Sequence, residues 1–276
     1  MRRMRVLLTN DDGIDAKGLQ SLRRALLELP GIELAVIAPD GNRSAMARSI
    51  TTRRPLSVRQ VEFGDGTVGY ATDGTPVDCV RLAQLGLIED FELELVVSGI
   101  NHGANLGDDV TYSGTVAAAL EAIVLGLPGI AVSQHSPVGP CDYHSGEGFD
   151  FDVTAAFAAR VVKRLEDVGL EAGTLLNVNA PSAAPEGVRV ARLGKRVYSD
   201  ALRLLEDAGE GRLYEIYGEA GALEGETDTD LAAVAAGQIA VTPLHFDLTD
   251  VAGMDALARS DLSALLAPAA REVQER

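Results

Sequence analysis

The chain has 276 residues, 46% of them hydrophobic, enough to bury a sizeable core with or without an appendage. Its formal net charge of −17 excludes a global attraction to duplex nucleic acid or to an anionic membrane. Two cysteines, Cys79 and Cys141, exclude a disulfide framework or a cysteine-rich zinc centre, and no apolar run nears the roughly 18 residues of a membrane span.

The basic opening, Met1-Arg2-Arg3-Met4, leads at once into Val6-Leu7-Leu8, which reads as a buried first strand. It lacks a long apolar segment and a small-residue cleavage site, so a cytoplasmic setting is expected. The turn Thr9-Asn10-Asp11-Asp12-Gly13 precedes a helix over Ala16 to Glu28, with Leu19, Leu22 and Leu26 at helical spacing. Leu34 to Ala38 predicts a second buried strand, running into the turn-rich Pro39 to Ser44. Ile50 to Val61 and Thr67 to Thr72 predict a hairpin on the main sheet, and Pro76 starts a short helix through Leu85. Leu93 to Val97 predicts a strand that ends in Ser98-Gly99-Ile100-Asn101, followed by a loop to Asp109. Tyr112-Ser113-Gly114-Thr115 opens an alanine-rich helix to Leu125. Ile130 to Ser133 is a further strand, Ser136 to Gly148 a loop and Val153 to Leu165 a helix. Leu175 to Val178 and Val188 to Ala191 read as late strands.

Periodicity weakens from Gly194 to Glu226, where Tyr198, Tyr214 and Tyr217 sit among charges and a protruding hairpin or arm is expected. Thr227 to Asp230 caps a helix to Ala236, Ile239 to Val241 is a last strand, and Met254 to Leu266 reads as a C-terminal helix. The alternation predicts an α/β fold in three layers, a mostly parallel, Rossmann-like sheet with helices on both faces. It forms one domain over 1–276, with an arm around 194–226 and a C-terminal segment at 245–276.

Neighbours on a regular strand point to opposite faces, so Asp11 and Asp12 act together only where the backbone bends, as Gly13 permits. Adjacent carboxylates repel and are costly to desolvate unless paired or bound to a cation. Taken alone, the pair reads equally as a metal site or as a cap on the following helix. Ligands of open parallel sheets bind beyond the carboxyl ends of the strands. Gathered at such an edge, Asp11, Asp12, Ser44 and Asn101 form an all-oxygen set suited to Mg²⁺, Mn²⁺ or Ca²⁺. Ser113, Gly114 and Thr115 suit a phosphate at a helix start, with an ordinary Ser113 cap as the alternative.

Arg43, Arg48, Arg53, Arg54 and Arg59 form a local basic cluster, either a solvated face or a lure for an anionic substrate. His102, His135, His144 and His245 lack close metal-ligand spacing, and His102 stands out by adjoining Asn101. Glu121 reads as a solvated or ion-paired helix residue, Cys79 as a packed one, and Tyr112 as lining a pocket or packing in the core.

Leu7 to Gly13, Ala38-Pro39-Asp40 with Asn42 and Ser44, and Gly74 to Val80 resemble, in order, motifs of the SurE family of survival-protein nucleotidases. So do Val97 to Asn101, Gly103, Asn105, Gly107, Tyr112 to Val116, and Thr242-Pro243-Leu244 with Asp247-Leu248-Thr249. The resemblance implies a metal-dependent phosphatase acting on nucleoside 5′- or 3′-monophosphates. By the same resemblance one divalent cation per subunit, Mg²⁺ or Mn²⁺, is held by Asp11, Asp12, Ser44 and Asn101. Asn105, Ser113, Gly114 and Thr115 lie around the phosphate, and Asp11 or Asp12 serves as proton acceptor. It further implies homodimers or homotetramers with exchanged C-terminal segments. The sequence departs from the family pattern at Ala45-Met46-Ala47-Arg48, where small or glycine-rich residues are usual.

Three rivals remain open at this point. An aspartyl-phosphate phosphatase needs an Asp-x-Asp, whereas Asp11 and Asp12 are adjacent. A dinucleotide-dependent oxidoreductase would use Asp40 on a ribose, but the first turn lacks G-x-G-x-x-G. A non-enzymatic nucleotide-binding protein predicts binding without turnover.

Overall fold

The computed structural model describes residues 3–137, 142–198, 202–207, 211–215, 220–222, 226–260 and 262–266. Cys141, Tyr217 and the tail beyond Leu266 lie outside the described residues. The chain divides into two compact units, Met1–His245 and Phe246–Arg276.

The first unit opens with β1 (Met4–Thr9), α1 (Lys17–Leu27), β2 (Ile32–Pro39), β3 (Val58–Glu62), β4 (Val68–Thr72), α2 (Pro76–Gln84) and β5 (Leu95–His102). It continues with α3 (Gly114–Val124), β6 (Gly129–Gln134), α4 (Asp152–Lys163), α5 (Leu165–Val168), β7 (Thr174–Ala180) and β8 (Gly187–Val190). Short strands β9 (Arg196–Tyr198), β10 (Arg203–Asp207), β11 (Arg212–Glu215) and β12 (Ala220–Ala222) follow, then α6 (Asp230–Ala235) and β13 (Gln238–His245).

Nine strands form one sheet in the order β3-β4-β2-β1-β5-β6-β7-β13-β8. Pairings from β4 through β7 are parallel, β3 and β13 run antiparallel to β4 and β7, and β8 lies parallel to β13. The expected mostly parallel α/β sheet is therefore present. β1 shows why two helical layers are needed. Val6 and Leu8 pack on one face with Leu19, Leu22 and Leu26 of α1 and Ala155 and Ala158 of α4. Leu7 packs on the other with Cys79 and Val80 of α2 and Ala118 and Ala122 of α3. Alternation along one apolar strand thus feeds two cores.

Several boundaries differ from expectation for physical reasons. β5 runs on through Asn101 and His102 because these residues pair with Ser133 and Gln134 of β6, and the backbone ladder does not depend on apolar side chains. Residues 50–57 add no strand to the hairpin, which is confined to β3 and β4. Within 194–226, β10 pairs with β11 and β12 with β9, both antiparallel, as two-stranded ribbons apart from the main sheet.

In the second unit the expected helix over Met254 to Leu266 is replaced by α7 (Val251–Ala258) and a separate 3-10 turn, Leu262–Leu266. Among the described residues no helix is long and apolar enough to cross a membrane.

Candidate active site

β1, β2 and β5 are neighbours, so the segments after their carboxyl ends converge. Asp11 and Asp12 leave β1 in a turn closed by Asn10, whose Nδ2 donates to the Gly13 carbonyl at 2.9 Å. Gly13 takes φ +112°, and a Cβ there would sit 3.1 Å from the Gly41 backbone. The helix-cap alternative fails, because α1 starts after Ala16 with no side-chain cap. Both carboxylates are instead buried in the sheet edge.

A cleft of about 450 Å³ opens there, lined by Asp11, Asn42, Ser44, Asn101, Asn105 and Ser113 among others. Tyr112, Tyr143 and His144 stand at its wall, so Tyr112 faces the cleft rather than the core. Of the residues expected at a metal, Asp11, Ser44 and Asn101 share this lining. Asp12 lies against the same edge, accepting from His102 N at 3.0 Å and from Asn42 Nδ2 at 3.3 Å. Asn42 Oδ1 in turn accepts from Ser44 N at 2.9 Å, which fixes the entry to the Ser44 loop. Asn101 donates its amide to the Gly103 carbonyl at 2.8 Å, orienting the side chain.

The start of α3 serves two purposes. Thr115 is buried and its hydroxyl donates to Asp11 Oδ1, with the Gly114 and Thr115 amides on the same carboxylate. Asp11 thus occupies the positive end of α3. A Cβ on Gly114 would fall 2.8 Å from the Asp11 Cβ, so glycine is required for this approach. Gly114 and Thr115 therefore touch Asp11, while Ser113 both caps α3, accepting from Val116 N at 3.1 Å, and lines the cleft. A hydroxyl that accepts one bond keeps its proton for another.

Burial pushes the Asp11 carboxyl up, against the hydrogen bonds from Thr115 and the backbone. Asp12 is pushed up to about 8, by burial first and then by the charge of Asp11, while the His102 amide acts the other way. Among the described residues neither carboxylate is paired with a lysine or arginine side chain. Two buried, mutually repelling carboxylates without a cationic side chain fit a divalent cation. Among the described residues no cluster of three or more His, Cys, Asp or Glu is placed to hold a metal ion. Neutral oxygens such as those of Ser44 and Asn101 would complete the set, as hard cations accept.

His102 has a different task from the one its position suggests. Its Nδ1 meets the Tyr143 carbonyl at 2.7 Å, and its Nε2 accepts from Gly18 N at 3.2 Å. Those partners fix a neutral ring protonated at Nδ1. Burial lowers its pKa, in keeping with a neutral ring, and the 3.9 Å approach of Asp12 is then no ion pair. The ring stacks against Phe149 and Phe151 and clamps α1 to the loop at Tyr143.

Asn177 and Asn179 of β7 were not among the residues expected at the site; with Ser133 of β6 they hold Asn105 by hydrogen bonds. The signal was present: Asn177-Val178-Asn179 puts two amides on one face of a buried strand.

Comparison with known proteins agrees with the fold. A sequence model of the family "Survival protein SurE" matches residues 6–200. A protein from Rubrobacter xylanophilus named 5′-nucleotidase SurE is 50% identical over 270 residues, covering 95% of this chain and 99% of that protein. One of the same name from Symbiobacterium thermophilum is 43% identical over 264 residues, covering 94% and 98%. The crystal structure of the SurE protein from Aquifex aeolicus superposes with a TM-score of 0.78 at 37% identity, covering 92% of this chain and 98% of that one. The chain belongs to the SurE family.

Proposed function

We infer that this chain is a metal-dependent 5′-nucleotidase, hydrolysing nucleoside monophosphates to nucleoside and phosphate. The observation that carries the inference is the buried, unneutralised pair Asp11 and Asp12 at the edge of a cleft that Ser44, Asn101, Asn105 and Ser113 share. The curated relatives are named for the 5′ phosphate. Cleavage of 3′-monophosphates is a second expectation, drawn from the motif resemblance.

Asp11, Asp12, Ser44 and Asn101 would hold the cation, Mg²⁺ or Mn²⁺. When bound, a divalent ion neutralises phosphate charge and lowers the pKa of a coordinated water. Asp11 or Asp12 would serve as the proton acceptor for the attacking water. Ser113 and Asn105 offer a hydroxyl and an amide to the equatorial phosphate oxygens, where charge grows in the transition state. Gly114 and Thr115 support the phosphate side by holding Asp11 in place.

The same reading includes a homodimer or homotetramer, with the arm at 194–226 and the segment at 245–276 as association surfaces. It also includes a cytoplasmic setting, which the buried free thiol of Cys79 suits. The test is phosphate release from a panel of 5′- and 3′-monophosphates with Mg²⁺ or Mn²⁺. Turnover of at least one 5′-monophosphate that stops on full chelation and returns with metal is expected. Turnover unchanged by chelation would overturn the metal dependence, and nucleotide binding without turnover would favour a binding protein.

A further inference from the structure

Asn105 is held by more buried polar groups than a loop residue needs for packing. Asn177 and Asn179, two apart on β7, are fully buried. Asn179 Oδ1 accepts from Asn105 N at 2.8 Å, and Asn179 Nδ2 donates to the Asn105 carbonyl at 3.0 Å. Asn177 Nδ2 donates to that same carbonyl, also at 3.0 Å. From the neighbouring strand, the buried Ser133 hydroxyl accepts from Asn105 Nδ2 at 2.8 Å.

Amides buried in a strand interior are costly unless bonded, and apolar residues on β7 would pack there without that demand. What the network secures is the setting of both the backbone and the side chain of one cleft residue. An amide NH₂ carries two protons, and Ser133 takes one of them. The other is left for a ligand in the cleft.

We propose that Asn179, assisted by Asn177, is a positioning residue that presents the Asn105 amide to the phosphate of the substrate. This rests on reading the cleft as a phosphate-monoester site. Asn177 and Asn179 act through Asn105 and touch no substrate themselves. Pre-set donors lower the reorganisation needed as charge develops on the phosphate oxygens.

The test compares wild type, Asn179→Ala, Asn105→Ala and the double variant, all loaded with Mn²⁺. Binding of inorganic phosphate is measured by calorimetry, alongside KM, kcat and the half-saturating Mn²⁺ concentration. Asn179→Ala is expected to weaken phosphate binding and raise KM by about tenfold, with Mn²⁺ half-saturation changed less than twofold. In the Asn105→Ala background the same substitution should add nothing, because its effect passes through Asn105. Multiplying effects, or an equal loss of Mn²⁺ affinity, would overturn the proposal. Should Asn179→Ala not fold, Asn177→Ala, which removes one hydrogen bond, takes its place in the same cycle with a smaller expected loss. Wild type that binds phosphate without turnover would sink the enzymatic reading and leave the positioning test standing. Wild type that binds no phosphate would sink both.

Discussion

Asp11 stands where a carboxylate is hard to keep charged, buried beside a second carboxylate and held by Thr115 and the start of α3. A cation reverses that penalty, which makes Asp11→Asn informative. The amide keeps the shape and one acceptor oxygen but removes the charge. Activity at saturating Mn²⁺ is expected to fall by at least about 100-fold, with a higher half-saturating concentration. The thermal midpoint in chelator should not fall, since one of two adjacent buried charges has gone. Wild-type turnover in this variant would remove Asp11 from the site. Much of this site was legible from residue type alone. Asp11, Asp12, Ser44, Asn101 and Ser113 are oxygen-bearing residues directly after apolar strands or at a helix start, where an α/β sheet gathers its ligands. The support beneath them was not. Thr115 on Asp11 and Asn179 on Asn105 join residues 104 and 74 positions apart, and no local pattern encodes such pairings.

At the scale of elements, α3 links the cleft to the segment after Ser44. Glu121, expected as a solvated or ion-paired helix residue, is ion-paired and also buried, because α3 is apolar nearly all round and packs against both the sheet and α2. Its carboxylate meets Arg48 at 2.5 Å and also Arg81 of α2. Arg48 ends the stretch in which Ala45 and Ala47 take φ values of +57° and +50°. Left-handed backbone costs a non-glycine residue roughly 1–2 kcal/mol, so something must hold this loop. The Ala47 amide on the Tyr112 carbonyl at 3.1 Å and the Arg48–Glu121 pair do so. Here the departure from small or glycine-rich residues at 45–48 has a physical counterpart. The two arginines differ in connection, since Arg48 belongs to the loop that carries Ser44 and Arg81 does not. Arg48→Ala is therefore expected to raise KM several-fold, roughly 3- to 10-fold, whereas Arg81→Ala leaves it within about twofold. Both guanidinium groups are partly exposed, so each loss should cost only about 1 kcal/mol and lower the thermal midpoint by a few degrees. Equal effects on KM would show that the pair serves packing alone. The strands and helices on which this depends were readable from apolar periodicity, but the burial of Glu121 was not, because it is set by what packs over α3.

For the whole molecule, the balance lies between a net charge of −17 and exposed apolar side chains in the arm. β10 and β11 form a two-stranded ribbon exposed along its whole length, with Leu204, Leu205, Leu213 and Tyr214 open to solvent. Isolated two-stranded ribbons are marginal in water, and apolar ones are stabilised by a covering surface. A second copy of the chain is the occupant expected from the proposed homo-oligomer. Solution mass should then be a multiple of the 29.0 kDa chain. The double substitution Leu204→Glu with Leu213→Glu should shift that mass towards the single chain while the thermal midpoint of the main sheet holds. Salt distinguishes the kind of contact. Copies of like charge repel across a distance set by screening, whereas apolar burial is not screened. Raising salt from low to physiological strength should therefore strengthen association, and association that weakens would point to ion pairs rather than leucines. A single-chain mass for the unaltered protein at micromolar concentration and physiological salt would exclude the arm as an association surface.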